Sequence, residues 1–225
     1  MDDPRDTMLD AALNHVPFDG WSETTLKAAA RDAEMSLTEA HALFPRGAVD
    51  MALAYHRRGD ARMAERMRQE NMEGMRFRDR VAHAIRLRIE VIDDKEAVRR
   101  GATLFALPIY AGDGAQALWG TADRIWTTLD DTSTDVNWYT KRATLSGVYG
   151  SVLLFWLGDE SDDHHETWEF IGRRIDDVMQ IERMRSTITE NRLARGLMAG
   201  PNWLLSQVRA PTRSGDFPGK WSRPK

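Results

Sequence analysis

Trp138-Tyr139-Thr140-Lys141-Arg142-Ala143-Thr144-Leu145-Ser146-Gly147-Val148-Tyr149-Gly150-Ser151-Val152-Leu153-Leu154-Phe155-Trp156-Leu157 is the most apolar run of this 225-residue chain. At twenty residues it is far longer than a typical strand and predicts a nearly buried helix. The run before it, Asp130-Asp131-Thr132-Ser133-Thr134-Asp135, is dense in residues that cap helix N-termini. Outward from this segment, Ala, Leu, Met, Arg and Glu dominate and apolar side chains recur every three or four residues. No stretch alternates long enough to predict a strand, so the expected fold class is all-α.

Upstream, helices are predicted over Pro4–His15, from a Ser22 cap to Asp32, and from a Ser36 cap to Phe44. A long helix over Ala48–Met72 follows, then Asp79–Ile92, Lys95–Ala106 and Ala115–Thr128. Val16 to Gly20, Pro45-Arg46-Gly47, Gly74, Asp93-Asp94 and Gly112-Asp113-Gly114 read as the breaks between them. Downstream, Gly158–Asp163 reads as a loop and Thr167–Met184 as a helix with Trp168, Ile171, Ile175, Val178 and Met179 facing inward. This last helix and the 138–157 helix make a natural dimerisation pair. The organisation expected is a three-helix head (1–47), a helical body (48–185) and a tail (186–225).

The charge is unevenly distributed. From residue 183 onward there are nine Lys/Arg and two acids, a balance of +7, which leaves −11 for the rest of a chain whose net charge is −4. A basic tail on an acidic body suits an anionic membrane surface, nucleic acid or an acidic partner, or is simply solvated. On a helical wheel over Thr187–Val208, Leu193, Ala194, Leu197, Met198, Pro201, Leu204, Leu205 and Val208 share one arc. Asn191, Arg192, Arg195, Asn202, Ser206 and Arg209 lie opposite, with Trp203 at the boundary. This predicts an interfacial membrane helix, with Arg192, Arg195, Leu197, Met198, Trp203 and Leu204 as membrane contacts. Packing back on the body would use the same apolar face.

Several function classes fall away. The chain has no cysteine, which removes disulfides, thiolate nucleophiles and Cys-based metal sites. An acidic N-terminus and the lack of a long uncharged apolar run predict neither a secreted nor a membrane-spanning protein. None of the six histidines sits in a metal or acid–base motif, and the acidic run Asp159 to Asp163 before His164-His165 reads as a solvated loop capping the next helix. No catalytic residue, cofactor or metal is predicted, and a cytoplasmic protein peripheral to the inner membrane is expected.

The first three helices resemble the helix-turn-helix head of TetR-type regulators, whose third helix enters a major groove. Residues 1–47 hold four basic and nine acidic side chains, and the would-be recognition segment Leu37-Thr38-Glu39-Ala40-His41-Ala42-Leu43 has no Lys or Arg. Phosphate neutralisation and guanine recognition both need that charge, so no DNA binding is expected. A TetR-type ligand-responsive transcriptional regulator is the alternative function.

Five of the eight Trp (119, 126, 138, 156 and 168) fall in the body, a composition that suits a filled core or an apolar cavity equally well. Trp119, Trp126, Leu145, Tyr149 and Leu153 are the candidate lipid-lining residues. Trp138 and Tyr139 stand in the first turn of their helix, where an outward aromatic would anchor a protein partner and an inward one would join the core.

Four segments carry a further resemblance: His15-Val16-Pro17-Phe18-Asp19-Gly20-Trp21, Leu43-Phe44-Pro45-Arg46-Gly47, Asp131-Thr132-Ser133-Thr134-Asp135-Val136-Asn137-Trp138-Tyr139-Thr140-Lys141-Arg142, and Thr167-Trp168-Glu169-Phe170. They resemble signature segments of the coenzyme Q (ubiquinone) biosynthesis protein nine family, over about Met8 to Arg183. Val136 stands where many members have an aromatic. The resemblance implies a TetR-like fold, a homodimer through the last two body helices, and an apolar pocket for isoprenoid quinone or phospholipid. It also implies a di-iron demethoxyubiquinone hydroxylase as partner, bound through Asp135, Trp138 and Tyr139, and a terminal helix that docks on membrane.

Overall fold

The structure is a computed structural model that describes residues 3–190, with side chains as far as 180. Every regular element among the described residues is helical: α1 (Pro4–Leu13), α2 (Val16–Asp19), α3 (Glu23–Asp32), α4 (Leu37–Leu43), α5 (Ala48–Gln69), α6 (Phe77–Glu90), α7 (Lys95–Phe105), α8 (Ala111–Thr128), α9 (Val136–Gly158) and α10 (His165–Glu190), with a 3₁₀ turn at Asp162–His164. The described residues divide into two compact units, 3–63 with 90–117, and 64–89 with 118–190.

Local chemistry sets most of the boundaries. Ser22 caps α3 by accepting from the Thr25 N–H, and Ser36 caps α4 in a reciprocal box with Glu39. Asp94 accepts from Glu96 and Ala97 at the start of α7, and Asp135 from Asn137 at the start of α9. Each such cap contributes about 1 kcal/mol. The C-termini of α3 and α8 close in the same way. The Met35 N–H reaches back to the Ala30 carbonyl and Asp131 to Trp126, while Glu34 (φ 52°) and Asp130 (φ 57°) take the left-handed position between.

Among the boundaries that differ from the sequence reading, three change an element. The first helix ends at Leu13, and Val16–Asp19 forms a short helix instead of a plain break. Pro17 is in its first turn, where a missing N–H costs nothing. Gly112-Asp113-Gly114 does not break the chain but lies in the first turn of α8, because Arg46 donates to both Asp113 oxygens at 3.0 and 3.1 Å and the Gly114 N–H reaches the Tyr110 carbonyl. The last described helix runs from His165 past Met184 to Glu190.

The first unit packs Met8, Leu9 and Ala12 of α1 against Leu26, Ala29 and Ala30 of α3 and against Phe44, Met51 and Ala97. Trp21 joins this core and donates its indole N–H to the Ala97 carbonyl at 2.9 Å. In the second unit, α9 and α10 meet where the Phe155 and Phe170 rings stack at 4.3 Å, nearly parallel. The inward residues of α10 are Ile171 and Ile175, both buried, with Trp168, Val178 and Met179 half-buried. One stripe of α9 is open: Ala143, Gly147 and Gly158 are exposed and Leu154 is 66% exposed. The expectation of a nearly buried α9 therefore holds for only part of its circumference.

Candidate functional site

The turn between α8 and α9 is built around one charged residue on an otherwise apolar stripe. Trp138, Leu145, Val148, Tyr149, Val152 and Trp156 form the buried face of α9, and Arg142 lies among them, its side chain only 3% exposed. Its Nε donates to Asp123 of α8 at 2.6 Å, and its Nη1 donates to Asp131 at 3.1 Å and to the Trp138 carbonyl at 3.2 Å. The guanidinium lies 4.0 Å over the Trp138 ring. A buried cation is tolerable only with such complete pairing, and removing one partner typically costs about 3–5 kcal/mol.

Lys141 extends the network. Its ammonium donates to Asp131 at 2.8 Å and to the Ser133 hydroxyl at 2.6 Å, and sits 5.2 Å over the Trp126 ring. The Trp126 indole in turn donates to the Lys141 carbonyl at 3.2 Å. Burial by itself would raise the Asp131 carboxyl, but hydrogen bonds from Lys141, Ser133 and Arg142 outweigh it and hold this group below its usual range. The turn is thus fixed as a carboxylate between two cations.

The aromatic cluster sits beside this network. Trp138 and Tyr139 contact edge to face at 4.8 Å, and Trp119 approaches them at 5.9 and 6.4 Å. Of the three proposed partner contacts, Asp135 is exposed and spends both oxygens on Asn137, Tyr139 is half-buried, and Trp138 is 7% exposed. Trp138 therefore supports the site from beneath while Asp135 and Tyr139 reach its surface.

Among the proposed lipid-lining residues, Trp119, Trp126, Leu145 and Tyr149 are buried and Leu153 is half-buried. None of the five lines the cavity that opens here. That cavity, of about 360 Å³, is walled by Asp123, Thr127, Asp130, Asp131 and Thr132 with Trp138 and Arg142, so its lining is mainly polar. The proposed membrane contacts Arg192, Arg195, Leu197, Met198, Trp203 and Leu204 lie outside the described residues.

Asp159 is the other carboxylate whose environment differs from the sequence reading. It is buried instead of solvated, accepting from the Ser161 N–H and hydroxyl through one oxygen and from the Thr167 N–H and hydroxyl through the other. Burial pushes its pKa up, and these hydrogen bonds overcome that and hold it far below the ordinary carboxylate range. The group anchors the start of α10. Among the described residues no three His, Asp or Glu side chains gather as a metal site would need, and no helix is long and apolar enough to cross a membrane.

The Asp123–Arg142–Asp131 network was not singled out from sequence. The available signal was Arg142 itself, four residues after Trp138 and three before Leu145 on one helical stripe, since a charge on an apolar face implies a buried partner.

Ten described helices in this order define an all-helical protein of TetR-like fold. A TetR transcriptional regulator from Nitrosomonas europaea superposes on 78% of this chain and 97% of its own with a TM-score of 0.63, at 20% sequence identity, a likeness of fold alone. Residues 111–182, which span α8, the turn, α9 and much of α10, match the COQ9 family model. The ubiquinone biosynthesis protein COQ9 of Drosophila melanogaster is 29% identical over 187 residues, 81% of this chain and 57% of that protein. Its counterpart in Xenopus tropicalis is 30% identical over 76% of this chain and 56% of that protein, and the Homo sapiens protein 27% identical over 85% and 63%. The chain is thus similar to the COQ9 family, whose match covers α8, α9 and much of α10, and it spans somewhat more than half the length of these relatives.

Proposed function

We propose that this protein acts in ubiquinone biosynthesis as a lipid-binding accessory protein and makes and breaks no bond itself. In this reading a polyprenylated quinone intermediate, or a phospholipid in its place, occupies the helical body. The surface around Asp135 and Tyr139 engages the di-iron demethoxyubiquinone hydroxylase, and the basic tail rests on the inner membrane. One observation carries the proposal: the family match over 111–182 is centred on the segment whose backbone the Arg142 network fixes. A rigid turn displaying a half-buried tyrosine beside an exposed acid has the make-up of a protein-binding anchor. The buried Trp119, Trp126, Leu145 and Tyr149 imply that ligand entry requires helices of the second unit to part.

Two measurements test this. Organic extraction of the purified protein is expected to yield isoprenoid quinones or phospholipid in stoichiometric amount, and an extract empty of both defeats the ligand reading. Pull-down of the hydroxylase is expected to be lost on Tyr139→Ala with folding intact, and retention would defeat the assigned surface. The TetR-like fold keeps a regulator as the second reading. Its signature would be salt-sensitive binding to the chain's own promoter, and the −5 balance of residues 1–47 argues for none.

A further inference from the structure

The connection from α7 to α8 presents apolar side chains to solvent. Leu104-Phe105-Ala106-Leu107-Pro108-Ile109 holds six apolar side chains in succession, and no charge occurs from Gly101 to Gly112. Leu107 is 48% and Ile109 75% exposed, with Ala106 and Pro108 also exposed. We propose that this tip inserts into the acyl-chain region of a membrane, as a contact separate from the basic tail.

The backbone suits an apolar medium. The Ala106 N–H is spent on the Ala102 carbonyl, Leu107 on Leu104 and Tyr110 on Leu107, while Pro108 has no N–H to bury. In hydrocarbon, each backbone donor left without an internal acceptor costs several kcal/mol, so spending the donors of Ala106, Leu107 and Tyr110 internally lowers the cost of entry. The charges at its base are already paired. Arg99 and Arg100 both reach Glu96 at 3.0 Å, and Arg46 bridges Asp50 at 2.9 Å and Asp113 at 3.0 Å.

The base is also stiff. A Cβ on Gly114 would come within 2.8 Å of the Phe105 Cβ, so α8 leaves the tip in direct contact with the last residue of α7. A preformed tip spends little conformational entropy on insertion. Lipid, and not a protein partner, is the occupant the tip chemistry favours. A protein interface carries about one hydrogen bond per 100–200 Å² of buried surface, and the side chains from 104 to 109 can make none. Tyr110, half-buried at the base, is the residue type that sits at the headgroup level.

The chain has no cysteine, so Ile109→Cys accepts a single environment-sensitive fluorophore. With vesicles of phosphatidylcholine alone, whose neutral surface gives the basic tail nothing to attract, the label is expected to shift to the blue and to be quenched by bromine on the lipid acyl chains. A label on Thr38→Cys, exposed on α4, is expected to do neither. Replacing Leu107 and Ile109 together by Ser is expected to weaken partitioning by roughly tenfold for each side chain, with an unchanged unfolding midpoint because both are exposed. An unquenched label on vesicle-bound protein, unchanged partitioning of the double variant, or no binding of the parent chain to these vesicles would each overturn the inference. A protein that yields neither quinone nor phospholipid on extraction but whose tip is quenched keeps this inference and loses the ligand reading.

Discussion

Arg142 of α9 donates to Asp123 of α8 at 2.6 Å across nineteen residues of sequence, with both side chains largely removed from water. This pair and the Asp131 contact beside it tie the two helices that bound the site. Replacing Arg142 by Met leaves Asp123 without its cation while Lys141 still holds Asp131. Stability in urea is expected to fall by about 3 kcal/mol. Adding Asp123→Leu to that variant is expected to restore part of the loss, since the unpaired charge is then gone. An additive loss would show that the two side chains do not couple.

Acid should loosen the second unit. Asp131 and Asp159 both have folded pKa values below their unfolded ones, so the stability they contribute is complete above the unfolded carboxylate range, about pH 4. It is lost as the pH falls through that range towards the folded values. Asp159→Asn is expected to cost about 2 kcal/mol at neutral pH, and the difference from the parent should shrink in acid. A gap that stays constant with pH would remove Asp159 from the acid transition.

Asp130 occupies a left-handed position at the end of α8, where glycine carries no steric penalty and where a negative charge opposes the helix dipole. Asp130→Gly is expected to raise stability by about 0.5–1 kcal/mol. A lower thermal midpoint would mean that the Asp130 carboxylate at the cavity wall contributes more than its backbone costs.

The two aromatics of the turn should separate in their effects. Trp138→Ala is expected to cost about 3–5 kcal/mol, because it removes a buried ring from beneath Arg142. Tyr139→Ala, at a half-buried ring, should cost less than half of that and be felt mainly in partner binding. Equal losses of stability, measured by urea unfolding, would contradict the division between a supporting and a displayed ring.

The open stripe of α9, with Ala143, Gly147, Leu154 and Gly158 within one arc, is the surface a homodimer through the last two helices would use. Leu154→Arg is expected to yield monomer in sedimentation analysis with helicity unchanged. A parent chain that sediments as a monomer would defeat the dimer itself.

Helix type and most helix starts were legible in the sequence because they depend on neighbours a few residues away. Ser22, Ser36 with Glu39, Asp94 and Asp135 each cap the helix that follows within three residues. Charge balance is a property of composition, and so the +7 of the chain from residue 183 and the −5 of its first 47 residues needed no coordinates. What the tertiary structure decided involves groups distant in sequence. Glycines at 112 and 114 begin a helix because Arg46, more than sixty residues earlier, holds Asp113. Asp159 is buried because Thr167 supplies two donors to it. Trp138 faces inward because a buried Arg142 needs a ring beneath and two carboxylates beside it. A local pattern can place a residue on a helix, but only packing determines which charge it must neutralise and whether water remains to do so.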